Sequence, residues 1–178
     1  MDKKIVVFSA VLTAALLLIS VNLPANARAT RTPVSSFEYD CAVSMEKMWM
    51  EGQVMHIRNY KHVNLDVSDN PELDGINTTV ADAEINLVTG DMLIRGTMSF
   101  KPDGIDGTWE GTWTSITTKG VSRTESVAQG TGALAGKTLF LNIADAAPTS
   151  QDQAMCQGLG EWEGNVTTEG YILDTGSH

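Results

Sequence analysis

Apolar side chains in this sequence return at every second position, and after residue 27 they never settle into a convincing helical stripe. From Phe37 onward, Tyr39, Cys41, Val43 and Met45 share one face while Glu38, Asp40, Ser44 and Glu46 share the other. The same alternation returns at Met55 and Ile57, at Val63, Leu65 and Val67, at Ile85 and Leu87, at Met92, Ile94, Gly96, Met98 and Phe100, and at Leu139, Leu141 and Ile143. A period of two is the signature of strands. Turn-forming residues separate the runs at 68–75, 89–91, 101–104, 119–120 and 169–170. Only Glu46 to Gln53 reads as a short turn of helix.

Glycine decides between a sandwich and a barrel. Two stretches, Gly107-Thr-Trp-Glu-Gly-Thr-Trp113 and Gly160-Glu-Trp-Glu-Gly-Asn165, share the pattern Gly-x-Trp-Glu-Gly-x, and Gly130-Thr-Gly-Ala-Leu-Ala-Gly136 lies between them. Gly96, Gly111 and Gly164 fall inside the expected strands rather than in turns, which lets a tightly coiled sheet bend around large rings and close on itself. The prediction is an all-β fold, a single antiparallel up-and-down β-barrel of about eight strands.

Lys3 and Lys4, an apolar run from Ile5 to Val21 and the small-x-small stretch Ala25-Asn-Ala27 predict a signal peptide over residues 1–27. Residues 28–35 read as a flexible leader and 36–174 as the barrel domain. The expected location is secreted or periplasmic, with no stable membrane insertion once the signal is cleaved. The chain carries a net charge of −10, and removing Asp2, Lys3 and Lys4 makes it −10 − 1 = −11. Such a surface repels nucleic acid and anionic lipid, so neither is an expected partner. Cys41 and Cys156, the two cysteines, are expected to form a disulfide in an oxidising compartment. No metal site and no cofactor are expected, because two cysteines without a nearby histidine at ligand spacing cannot complete a zinc site.

Gly136-Lys137-Thr138 resembles the end of a phosphate-binding loop, but Thr131 stands where the first glycine belongs and an alternating strand follows where a helix is required. His56 and His62 are six residues apart, roughly 20 Å along a strand, which predicts separate solvated histidines. Glu110 and Glu163 hold equivalent places in the two repeats; with the tryptophans inward, both are expected to face water. Asp69, Glu72 and Asp74 lack the spacing of a calcium loop. Asn77-Thr-Thr79 and Asn165-Val-Thr167 match the glycosylation acceptor pattern. Trp109, Trp113 and Trp162 are candidate ligand-binding residues as aromatic walls of a cavity, with Arg95 as an anion-binding candidate or an outward charge. No catalytic residue is assigned.

The segments His56-Ile-Arg58, Ser68 to Gly75, Gly107 to Trp113, Gly130 to Gly136 and Glu169-Gly-Tyr-Ile-Leu173 resemble a set of secreted bacterial proteins of unknown function. The Gly-Thr-Gly-x-Leu-x-Gly turn is similar to that of the allene oxide cyclase-like barrels, the superfamily of plant dirigent proteins. That resemblance implies an eight-stranded antiparallel barrel with a ligand-accepting interior. Three functional expectations follow, in order: a non-catalytic barrel binding a small apolar molecule, an isomerase or cyclase acting on a flexible lipid-like substrate, and a surface-interaction module with a filled core. Whether the protein is an enzyme, and its oligomeric state, are left open by the sequence.

Overall fold

The computed structural model describes residues 29–176, so the predicted signal peptide lies outside the described residues. The chain forms β1 (Thr30–Ser44), β2 (Lys47–Glu51), β3 (Val54–Val67), β4 (Gly75–Asn86), β5 (Met92–Pro102), β6 (Trp109–Thr118), β7 (Val121–Gly130), β8 (Lys137–Ala146) and β9 (Glu161–Asp174). A 3-10 turn, Gly132–Leu134, joins β7 to β8, and a one-turn helix, α1 (Asp152–Met155), lies between β8 and β9.

From β2 to β9 each strand pairs antiparallel with the next, and β1 pairs antiparallel with both β9 and β3. β1 and β2 act as one interrupted strand, since Ser44 stands opposite Lys61 and Lys47 opposite Arg58 on the same β3. The result is a closed, eight-stranded up-and-down antiparallel barrel, in which β2 takes over from β1 along the first residues of β3. Closure removes the free edges over the length where β1 pairs with both β3 and β9.

Two segments differ from their sequence reading. Residues 47–51 are a strand, because the run pairs with β3 and stacks Trp49 on His56 at 5.0 Å, contacts that a single isolated turn of helix cannot match. Residues 30–35, read as a flexible leader, are the first half of β1, paired from Thr30 opposite Asp174. Pro33 is tolerated there because β3 does not pair with β1 until Phe37, which leaves that side of the strand free.

One end of the barrel is plugged. Trp109 is fully buried and its indole Nε1 donates to the Glu72 carbonyl at 2.9 Å. Leu73, Phe100, Leu134 and Leu139 pack around it in the same cluster. The glycine-rich motif has a mechanical role here: it turns the chain so that Leu134 drops into this end. Gly132 takes φ 56°, and a Cβ there would meet the Asp106 carbonyl oxygen at 2.3 Å, so a side chain is excluded by both conformation and space. Cys41 and Cys156 are joined, with Cα atoms 5.6 Å apart, fastening the β8–β9 connection over the outer face of β1.

Candidate functional site

Above the plug the barrel is hollow. The cavity has a volume of about 340 Å³, within the range of small-ligand sites. Its lining at the plugged end, Leu73, Phe100, Leu139 and Asp66, is buried, whereas Asp145 and Glu163 at the other end are exposed. The mouth therefore opens at the end carrying the 52–53, 87–91 and 119–120 turns. Exposed Leu87, Val88 and Val121 stand on those turns.

The cavity has two unlike walls. On β4, β5 and β8 the inward residues are those the alternation would place there, among them Ala83, Ile94, Met98 and Leu141. On β1 and β3 the polar face is inward: Glu38, Asp40, Tyr60, His62, Asn64 and Asp66 line the cavity. Their apolar alternates point outward in cross-strand pairs, Tyr39 opposite Leu65 and Cys41 opposite Val63. Tyr39 and Cys41 are buried all the same, at 8% and 0% exposed, Cys41 through its bond to the β8–β9 connection. The outer face of this wall is thus apolar and partly covered, and the inner face is free to be polar.

Two β-bulges complete the polar wall. On β3 the register shifts between Ile57 and Tyr60, where Asn59 adopts φ 51°. Ile57 faces inward before the bulge, and even-numbered residues face inward after it. His56 is consequently outside, stacked on Trp49, while His62 is inside with its side chain 12% exposed. On β9, Asp40 pairs with Gly164 and Cys41 with Trp162, so Glu163 is the extra residue and turns into the mouth. A one-residue slip exchanges the faces of a strand. The expectations of two solvated histidines and of an outward Glu163 fail for this reason.

At the mouth, His62 Nδ1 lies 2.9 Å from Asp40 Oδ1 and 3.4 Å from Glu163. Burial by itself would lower the pKa of His62, but the hydrogen bond and charge of Asp40, with the charge of Glu163, outweigh it and hold the imidazole above its ordinary value of 6.5. The Tyr60 hydroxyl donates to Glu163. Burial, followed by that hydrogen bond and charge, pushes its phenol up. Ligand atoms of Asp40, His62 and Glu163 lie within 4.8 Å of one another. Among the described residues these three could hold a metal ion, a grouping the sequence reading did not anticipate.

Deeper in, Glu38 and Asp66 are 4% and 5% exposed. Burial pushes Glu38 up against the lowering effect of its hydrogen bonds with Asn64 and Asp66. Burial, then the adjacent Glu38, pushes Asp66 well above its ordinary 3.8. Asp66 Oδ1 accepts from Ser36 at 3.3 Å, and Asn64 Nδ2 donates to Glu38 at 3.1 Å. Five buried polar atoms of the lining have no protein partner: Asn64 Oδ1, Asp66 Oδ2, Asn77 Oδ1, Trp113 Nε1 and Ser126 Oγ.

Of the predicted ligand-binding residues, Trp113 lines the cavity, its indole lying over Gly96, where a Cβ would meet Nε1 at 2.3 Å. Trp109 belongs to the plug. Trp162 is absent from the lining and donates to Asn165 at 3.0 Å. Arg95 is exposed on the outer face. Glu110 also faces outward, accepting from Ser99 at 2.7 Å, so the two repeat glutamates do not meet. Both glycosylation-pattern asparagines, Asn77 and Asn165, are buried. Sequence reasoning missed the β1–β3 residues altogether. The available signal was composition, since an outward strand face seldom consists of Tyr, His, Asn and Asp without a lysine.

A larger hollow of about 890 Å³ lies outside the barrel beside Arg31, Asp69 and Tyr171. It is a shallow groove with a mostly exposed lining, and no set of inward polar groups converges on it.

No family model, curated protein or solved structure matches this chain.

Proposed function

We propose that this is a secreted barrel that binds a small molecule inside its lumen, with an apolar body against β4, β5 and β8 and a polar head against β1 and β3. The observation that carries this reading is the open 340 Å³ cavity lined by buried polar atoms without partners. A protein with a filled core has no reason to retain them, because each costs about 1–3 kcal/mol when left unsatisfied. The disulfide supports export to an oxidising compartment. The closed eight-stranded ring agrees with the resemblance to allene oxide cyclase-like barrels, which the Gly130 to Gly136 turn first raised.

Native mass spectrometry of protein purified from its own host tests the reading. The expected result is a small-molecule adduct that is lost on denaturation and is absent from Ala83→Phe, which fills the lumen. Bare protein that also takes up no added amphiphile overturns it.

A second reading, an isomerase-type enzyme, is favoured by one observation. His62, held by Asp40, and Tyr60, donating to Glu163, place two proton-carrying groups where a ligand would enter. It requires turnover of the retained ligand and its loss in His62→Asn.

A further inference from the structure

The charges lining the cavity narrow the class of ligand. Five carboxylates face it, Glu38, Asp40, Asp66, Asp145 and Glu163, and the described lining includes no lysine or arginine. His62 is the one basic group among them, and it is engaged by Asp40 and Glu163. An anionic amphiphile such as a fatty acid would meet like charge from the mouth to the floor. A cation would be drawn inward.

At the inner end the unpartnered atoms share one polarity. Asn64 and Asp66 are two residues apart on β3 and face the same way, and Asn64 stands opposite Asn77 on β4. Their free atoms, Asn64 Oδ1, Asp66 Oδ2 and Asn77 Oδ1, are all oxygens that accept. The Asn64 amide is oriented by its donation to Glu38. Asp66 and Asn77 are 5% and 8% exposed. An ammonium group has three donors and no acceptor, which complements three acceptors beside a carboxyl pair.

We infer that the occupant's polar head is a primary ammonium group, seated against Asp66, Asn64 and Asn77 with Glu38 beside it. The inference rests on the lumen-binding reading and specifies its ligand class as an amine with an apolar tail. Trp113 and the β4–β5 wall receive the tail, and Asp40, Asp145 and Glu163 at the mouth attract the cation.

The test is isothermal titration calorimetry of the disulfide-bonded protein with octylammonium, octanol and octanoate. The expected order is octylammonium at least tenfold tighter than octanol, with octanoate weakest. Asp66→Asn and Asn77→Leu are each expected to weaken octylammonium at least tenfold and to shrink its preference over octanol severalfold, with near-ultraviolet circular dichroism confirming the fold. Using two variants keeps the outcome readable should one fail to fold. Equal binding of octanol and octylammonium overturns the ammonium seat but leaves lumen binding standing. Binding of none of the three overturns both. Potassium or magnesium chloride displacing octylammonium from the seat at low millimolar concentration overturns the amine in favour of an inorganic cation.

Discussion

The two walls of this barrel obey opposite rules. On β4, β5 and β8 the apolar face of each strand is inward, and Met98 and Leu141 are buried much as any core residue would be. On β1 and β3 the polar face is inward, and the apolar face is turned out beneath the disulfide-linked β8–β9 connection. The first wall is built for cohesion. The second spends stability on buried polar groups, since Glu38 and Asp66 are held away from water and Asp66 Oδ2 has no partner. Functional sites commonly carry such a cost, and its location here marks the polar wall as the working side.

Truncation separates the walls most sharply. Met98→Ala on the apolar wall is expected to destabilise the protein by about 2–5 kcal/mol, the usual range for a buried methionine, read by guanidinium unfolding. A loss below about 1 kcal/mol would mean that the cavity already leaves this wall loosely packed.

Asp66→Asn on the polar wall should act in the other direction. In the unfolded chain Asp66 ionises near its ordinary 3.8, and in the barrel it ionises well above that. The folded state thus binds more protons between those two values. Its contribution to stability is full below 3.8 and is lost as pH rises through the folded value. Asparagine removes that loss, so the variant should be more stable by about 1–2 kcal/mol at pH 8 and should converge with the parent as the medium is acidified. The same variant is the one expected to lose amine binding. A destabilised Asp66→Asn at pH 8 would show that the carboxylate holds the wall together and would erase the contrast.

His62 gives the smallest effect. Its folded pKa lies above 6.5, so its contribution is full below 6.5 and is lost as pH rises through the raised value. Relative to His62→Asn, the parent should gain about 1 kcal/mol or less at pH 5.5 and nothing at pH 9. The imidazole proton resonances of His62 should titrate later than those of a free histidine. An earlier titration would mean that desolvation outweighs Asp40 and Glu163.

Much of the architecture was legible because its causes are local. Alternation marked most of the strands. Glycine at Gly96 was required by the Trp113 ring, and glycine at Gly132 by the Asp106 carbonyl. The link between Cys41 and Cys156 followed from there being two cysteines in a chain expected to be exported. The site was far less legible. Trp113 was picked out as a cavity residue, but His62 was read as a solvated histidine and Glu163 as facing water.

The sequence alone determined that this chain makes strands and where they turn, since both depend on residues near one another in the chain, and the glycines inside the strands pointed to the ring that β1 and β9 close. Only the tertiary structure decided which face of β1 and β3 looks inward. A period of two is the same pattern seen from either side, and an extra residue at Asn59 or Glu163 exchanges the sides without disturbing the alternation around it. What fixed the choice was distant in sequence: a cysteine 115 residues away that covers the apolar face of β1 and leaves its carboxylates to line the cavity.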